Sequence, residues 1–216
     1  MKITTLPYLL TWLIITITMF ILSGCTKEKE ASNNLLTMGD ISLQVPDGYT
    51  LEIAAGSEMV EYPMFATLDE TGRLFLFESV GNVYETSEEA IANPRFQIKL
   101  LEDLDGDGKY DKSTLYADKV GFPQGGVFYK GSLYASSAPD LLKFTDTDGD
   151  GVADKREVLL SGWVLNINAN SLIGPFMGPD GWLYMTSAIE GFDVMTKEGK
   201  RLKGETARVW RVRTDG

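Results

Sequence analysis

Three stretches of the sequence repeat one figure. "DETGRLFLFES" (69–79), "YKGSLYASSAPDLLKFTDTDGDG" (129–151) and "GPDGWLYMTSAIEGFDVMTKEGK" (178–200) each carry a turn, a glycine, a polar or aromatic residue, a leucine and then an aromatic residue. Their glycines, Gly72, Gly131 and Gly181, lie 59 and 50 residues apart. Repeats of this size, with room for about four short strands each, are the blades of a β-propeller. A sandwich of short strands has a similar rhythm and is the alternative. The rest of the chain agrees with an all-β reading. "YTLEIAA", "FQIKLL", "STLYADKV", "DLLKFTD", "EVLLSGW" and "ARVWRVRTD" are rich in β-branched and aromatic residues and are bounded by turn residues. One short helix is expected at "SEEAIANP", stopped by Pro94. The fold class is therefore all-β, a partial β-propeller of about three blades. A closed ring needs four to eight, so the chain reads as the N-terminal fragment of a six-bladed or similar propeller.

Two twelve-residue loops crowd carboxylates together: "DLDGDGKYDKST" (103–114) and "DTDGDGVADKRE" (146–157). Neighbouring carboxylates repel by about 1 kcal/mol per pair at contact in water, and a divalent cation reverses the sign. The spacing matches a calcium loop, in which alternate side-chain oxygens and one backbone carbonyl wrap a hard ion. In the second loop Asp146, Asp148 and Asp150 supply side-chain oxygens, Val152 its carbonyl, Asp154 an oxygen directly or through water, and Glu157 the closing carboxylate. Asp103, Asp105, Asp107, the Lys109 carbonyl and Asp111 stand in the same places in the first loop, where Thr114 at position twelve predicts a weaker site. Gly108 and Gly151 allow the bend. Plain Asp-Gly turns between strands are the alternative for both. No helical pattern precedes either loop, so a structural staple is expected rather than a sensor.

The first 24 residues stand apart. Lys2 is their only charge, and "YLLTWLIITITMFILSG" is apolar and ends in small residues just before Cys25, the one cysteine. This is an export signal. "LSGC" (22–25) resembles the lipobox of bacterial lipoproteins, which makes Cys25 a lipid anchor, residues 25–40 a polar lipidated tether and 41–216 the propeller. An uncleaved membrane span is the alternative. Thr26, where aspartate would favour retention at the inner membrane, points to the outer membrane of a cell envelope. Without residues 1–24 the chain has 19 basic against 31 acidic residues, a formal charge of −12, which argues against nucleic acid as a partner. There is no histidine. That removes the commonest general base, the Ser-His-Asp device and most zinc sites.

"YPMFATLDETGRLFLFES", "FPQGGVFYKGSLYASSAPDLLKFTDTDGDGVADKREVLLSGW", "GPFMGPDGWLYMTSA" and "LKGETARVWRVRTDG" together resemble the N-terminal propeller of PVC-type membrane-bound dehydrogenases. These are relatives of glucose and sorbosone dehydrogenases, and many carry a C-terminal c-type haem domain. The resemblance runs from about residue 45 to the end. It implies an envelope oxidoreductase of a sugar or alcohol, with pyrroloquinoline quinone in the full-length protein and an electron-transfer partner. The chain departs from that pattern in three ways. It has no Cys-x-x-Cys-His, so it attaches no c-type haem, and "NINANSLIGPF" has Asn168 and Asn170 where relatives often show histidine. Third, no residue has the evident role of the base that takes the hydroxyl proton, and this chain alone is expected to be inactive. A non-enzymatic envelope module that binds a glycan, peptide or protein is the alternative function.

Three further features have a bland reading beside the functional one. Glu190 could stand in as a base, or be a solvated loop residue. Trp182 and Tyr184 could stack on a sugar, or pack between blades. Arg211 and Arg213 share a strand face, with Arg208 on the other, and could meet an anionic cofactor or face water.

Overall fold

The computed structural model describes residues 34–38, 41–81 and 83–216. The export signal, Cys25 and the tether as far as residue 33 lie outside the described residues, among which no helix is long and apolar enough to cross a membrane. The chain forms two compact units, divided after Glu52.

In the first unit, β1 (Asn34–Met38) and β2 (Ile41–Val45) form an antiparallel hairpin with Asn34 opposite Val45 and Met38 opposite Ile41. Residues 34–38 were expected to be tether. They pair as a strand: "NLLTM" is too short and mixed to read as a strand alone, and β2 supplies its partner.

The second unit, Ile53–Gly216, is almost wholly β and has the three expected blades. The first is a meander of β3 (Pro63–Leu68), β4 (Leu74–Glu78), β5 (Phe96–Glu102) and β6 (Lys112–Val120), in that order across the sheet. The second repeats it with β7 (Gly126–Tyr129), β8 (Ser132–Ser137), β9 (Asp140–Thr145) and β10 (Lys155–Ser161). In the third, β11 (Leu172–Met177), β12 (Leu183–Ser187) and β15 (Arg208–Val212) form the sheet. A separate hairpin, β13 (Phe192–Met195) with β14 (Arg201–Gly204), is inserted before β15. The first strands of the blades, β3, β7 and β11, lie side by side. No closed barrel forms among the described residues.

Each repeated glycine turns the first hairpin of its blade: Gly72 between β3 and β4, Gly131 between β7 and β8, Gly181 between β11 and β12, all with positive φ. The short helix α1 (Ser87–Ala92) is where it was expected. Thr86 caps it by accepting from the Glu89 N–H at 3.1 Å.

The core lies between blades, not within one. One cluster joins Phe75, Phe77 and Tyr116 of blade 1 to Leu133, Leu142 and Phe144 of blade 2; another joins Tyr134 and Leu141 of blade 2 to Leu172, Leu183 and Val212 of blade 3. Strand β8 is therefore buried along its whole length on both faces, serines included. Ser136 there donates to the Gly174 carbonyl of β11 at 2.6 Å, and Ser132 shares a 2.9 Å hydrogen bond with Thr145.

"YTLEIAA" (49–55) is not a strand. Strand propensity needs an edge to pair with, and the one backbone bond described from this stretch to the blades is Tyr110 N–H to the Ala54 carbonyl, 2.8 Å.

Candidate metal centres

In an antiparallel meander the first and third connections fall at one end of the sheet, and the second connection and the crossover to the next blade fall at the other. The glycine hairpins and both acidic loops thus share one end. Helix α1, the loops 121–125 and 162–171, and the turn 188–191 share the opposite end.

The acidic loop of blade 1 joins β5 to β6 and that of blade 2 joins β9 to β10. Their internal hydrogen bonds correspond one for one. Asp103 accepts from the N–H groups of Gly106 (2.7 Å) and Gly108 (3.0 Å), as Asp146 does from Gly149 (2.7 Å) and Gly151 (2.9 Å). Asp111 accepts from Leu104 N–H and Asp154 from Thr147 N–H, both at 2.7 Å. Asp105 accepts from Asp107 N–H and Asp148 from Asp150 N–H, at 3.1 and 3.3 Å. Asp107 and Asp150 each take the N–H of the seventh residue, Lys109 and Val152, at 2.8 Å. These bonds bring together the carboxylates of positions one, three and nine. Asp103, Asp105 and Asp111 form one group and Asp146, Asp148 and Asp154 another, with ligand oxygens within 4.8 Å of one another in each. Hydrogen bonds from the Thr147 N–H and hydroxyl hold the Asp154 carboxyl below the usual carboxylate range. A carboxylate has about four acceptor sites, so those already bonded to the backbone retain lone pairs for a cation. The oxygen-only set and the tight turns fit calcium.

Position twelve departs from the expectation. Thr114 lies in β6 opposite Leu100, and Glu157 lies in β10 opposite Lys143 with its carboxylate 3.0 Å from Lys155 Nζ. A helix after the loop would curl the twelfth residue back to the ion. The strand that begins at Lys155 instead carries Glu157 onward at roughly 3.3 Å per residue, and it is outside the carboxylate group.

The loops are seated differently. Tyr110, at position eight of the first, donates its N–H to Ala54 and its hydroxyl to the Gly72 carbonyl at 3.3 Å, tying the loop to its own blade's hairpin and to the segment before β3. The second lies across a blade boundary. Its Ala153 N–H donates to the Tyr116 carbonyl of β6 in blade 1 at 2.9 Å, and Ala153 packs on the core that the two blades share.

At the opposite end, Gln124, which had no motif to mark it, accepts from the N–H groups of Ser171 (2.7 Å) and Leu172 (2.9 Å) and donates to the Ala169 carbonyl (3.0 Å). Glu190 accepts from Asn166 Nδ2 at 3.0 Å, and Asn168 gives its N–H to the Asn166 side chain at 2.9 Å. The asparagine segment is thus pinned between Gln124 and Glu190. A lone glutamine between proline and two glycines gave no sign of this, because its partners are 45 to 48 residues away.

Trp182 and Tyr184 each have polar partners within blade 3. Arg211 and Arg213, on β15 and just after it, lie over the Trp182 ring at 4.4 and 5.1 Å from its centroid, while Tyr184 donates to Asp180 at 2.8 Å. The shared face expected of Arg211 and Arg213 is real. It is taken up by the indole.

A family described as a domain of unknown function (DUF7133) matches residues 38–216. None of the curated proteins matches the chain. Among solved structures, a luciferin-regenerating enzyme is similar over 68% of this chain and 45% of its own, with 8% identity and a TM-score of 0.44. A candidate oxidoreductase (glucose dehydrogenase) of Thermus thermophilus is similar over 69% of this chain and 44% of its own, with 22% identity and a TM-score of 0.41. The chain spans less than half of either structure.

Proposed function

We propose that this chain, which belongs to the DUF7133 family, is a calcium-stapled propeller segment of a lipid-anchored envelope oxidoreductase that acts on a sugar or alcohol. The observation that carries the calcium part is the pair of acidic loops, which share one hydrogen-bond framework and converge three carboxylates each. Asp103, Asp105 and Asp111 hold one ion, and Asp146, Asp148 and Asp154 the other. Asp107 and Asp150 and the carbonyls of Lys109 and Val152 complete the sets. Calcium offsets repulsion that otherwise opposes closing each loop. Both ions act at the end of the propeller that the glycine hairpins occupy, which leaves the opposite loop end for substrate. Anchoring through Cys25 rests on the lipobox.

The oxidoreductase part is supported by the resemblance of the blade motifs to membrane-bound dehydrogenases. Pyrroloquinoline quinone would supply the electron acceptor in the full-length protein. The residues described do not fit a quinone pocket, since Gln124 and Asn166 at the loop end are already bonded within the chain, and Glu190 is bonded to Asn166. No catalytic step is therefore assigned to them. The absence of histidine favours the second reading, a module that binds a glycan, peptide or protein.

Calorimetric titration of the intact protein with calcium is expected to find two sites per chain, one lost in Asp105→Asn and the other in Asp148→Asn. The full-length protein, reconstituted with pyrroloquinoline quinone and calcium, is expected to reduce an artificial dye with a sugar or alcohol as donor. Silence across a broad donor panel would decide for the binding module.

A further inference from the structure

Between blades 1 and 2 lies a cavity of about 140 Å³ whose lining includes Arg73, Phe75, Tyr116, Phe128, Asp146 and Gly149. Tyr116 is 1% exposed, and its hydroxyl makes no hydrogen bond of normal geometry, with only the Asp146 backbone N–H acting weakly on it. A buried hydroxyl left unpaired costs about 1–3 kcal/mol, so its retention at a polar cavity calls for a partner. Asp146 is the first ligand position of the second acidic loop, and its carboxylate acts electrostatically on the hydroxyl, with Arg73 of the same cavity opposing it. Calcium takes six to eight oxygens. Glu157, which would supply two, is held on β10 beside Lys155, which leaves those positions open to other oxygens. The cavity has room for ordered water.

We propose that the second metal site extends across the blade boundary: a water carried by the cation donates to the Tyr116 hydroxyl, so that filling the loop of blade 2 locks it onto blade 1. This rests on the calcium reading of the loops and adds an outer partner to one of them. The first loop has no such partner among the described residues, because Tyr110 spends its hydroxyl on Gly72 within the same blade. The two ions therefore differ in what they hold. One closes a loop, and the other joins blades.

The test is Tyr116→Phe in the intact protein, titrated with calcium in two backgrounds: Asp103→Asn/Asp105→Asn, which leaves the second loop, and Asp146→Asn/Asp148→Asn, which leaves the first. The substitution is expected to weaken calcium at the second loop about fivefold, the loss of one ordinary hydrogen bond, and to leave the first unchanged. In chelator the variant is expected to melt at or above the unsubstituted protein, since an unpaired hydroxyl has been removed. Equal affinity at the second loop, or a lower melting temperature in chelator, would overturn the proposal while leaving the calcium sites in place. No calcium binding by the unsubstituted protein would remove the calcium reading and this proposal with it.

Discussion

Asp69 shows how one side chain can hold a blade's first hairpin. Its carboxylate is 1% exposed and accepts from the Thr71 N–H and hydroxyl, both at 2.8 Å, from Arg73 N–H at 3.0 Å and from Arg73 Nε at 2.7 Å. Burial pushes the carboxyl up, but the bonds from Arg73 and Thr71 outweigh it and leave the group below its ordinary value. A carboxyl depressed in the folded state adds stability above its unfolded value, and that stability is lost as pH falls through the folded one. Thermal melts between about pH 6 and pH 2 should show an acid loss that is shallower in Asp69→Asn, which has no carboxylate to titrate. Asp69→Ala should cost about 2 kcal/mol or more at neutral pH, since it orphans the Arg73 guanidinium and the turn amides. A flat acid limb in the unsubstituted protein would count against this account.

Strand-to-strand contact between blades is set where backbones nearly touch. Gly125, with φ +141, leads into β7, and a Cβ there would stand 2.5 Å from the Gly174 carbonyl oxygen of β11. The same two strands are bridged by Ser136, which donates its N–H to the Gly125 carbonyl and its hydroxyl to Gly174. Gly125→Ala is expected to cost about 2–4 kcal/mol, because backbone strain and a clash with backbone add. Gly131 also has a positive φ but open space around it, so Gly131→Ala should cost about 1–2 kcal/mol. Urea unfolding of the two variants checks the ranking. Equal losses would mean that the approach of β7 to β11 is not a constraint.

Because the cores lie between blades, the blades should unfold together. Phe77 is wholly buried in the cluster shared by blades 1 and 2, whereas Trp163, Trp182 and Trp210, three of the four tryptophans, follow blade 2 or belong to blade 3. Phe77→Ala should cost about 3–5 kcal/mol and move the tryptophan-detected transition along with the circular-dichroism one. A tryptophan transition that stays where it was would show independent blades. The meander puts the acidic loops and glycine hairpins at one end and gathers α1, the asparagine segment and Gln124 at the other, where a substrate or ligand surface is expected.

The order of strands, the glycine turns, the short helix and the acidic positions were legible in the sequence, because hydrophobic period, turn chemistry and carboxylate spacing are local. Other features depended on partners far along the chain. Residues 34–38 became a strand by pairing with β2, "YTLEIAA" stayed irregular for want of a strand to join, and "LIGPFM", with its glycine and proline, was drawn into β11 by β12 across a register shift. The acidic loops divide in the same way. Local spacing determined that Asp103, Asp105, Asp111 and Asp146, Asp148, Asp154 converge. Only tertiary structure carried Glu157 away along β10, covered Trp182 with two arginines and set the second loop against Tyr116, since each of those outcomes is decided by which strand lies next to which.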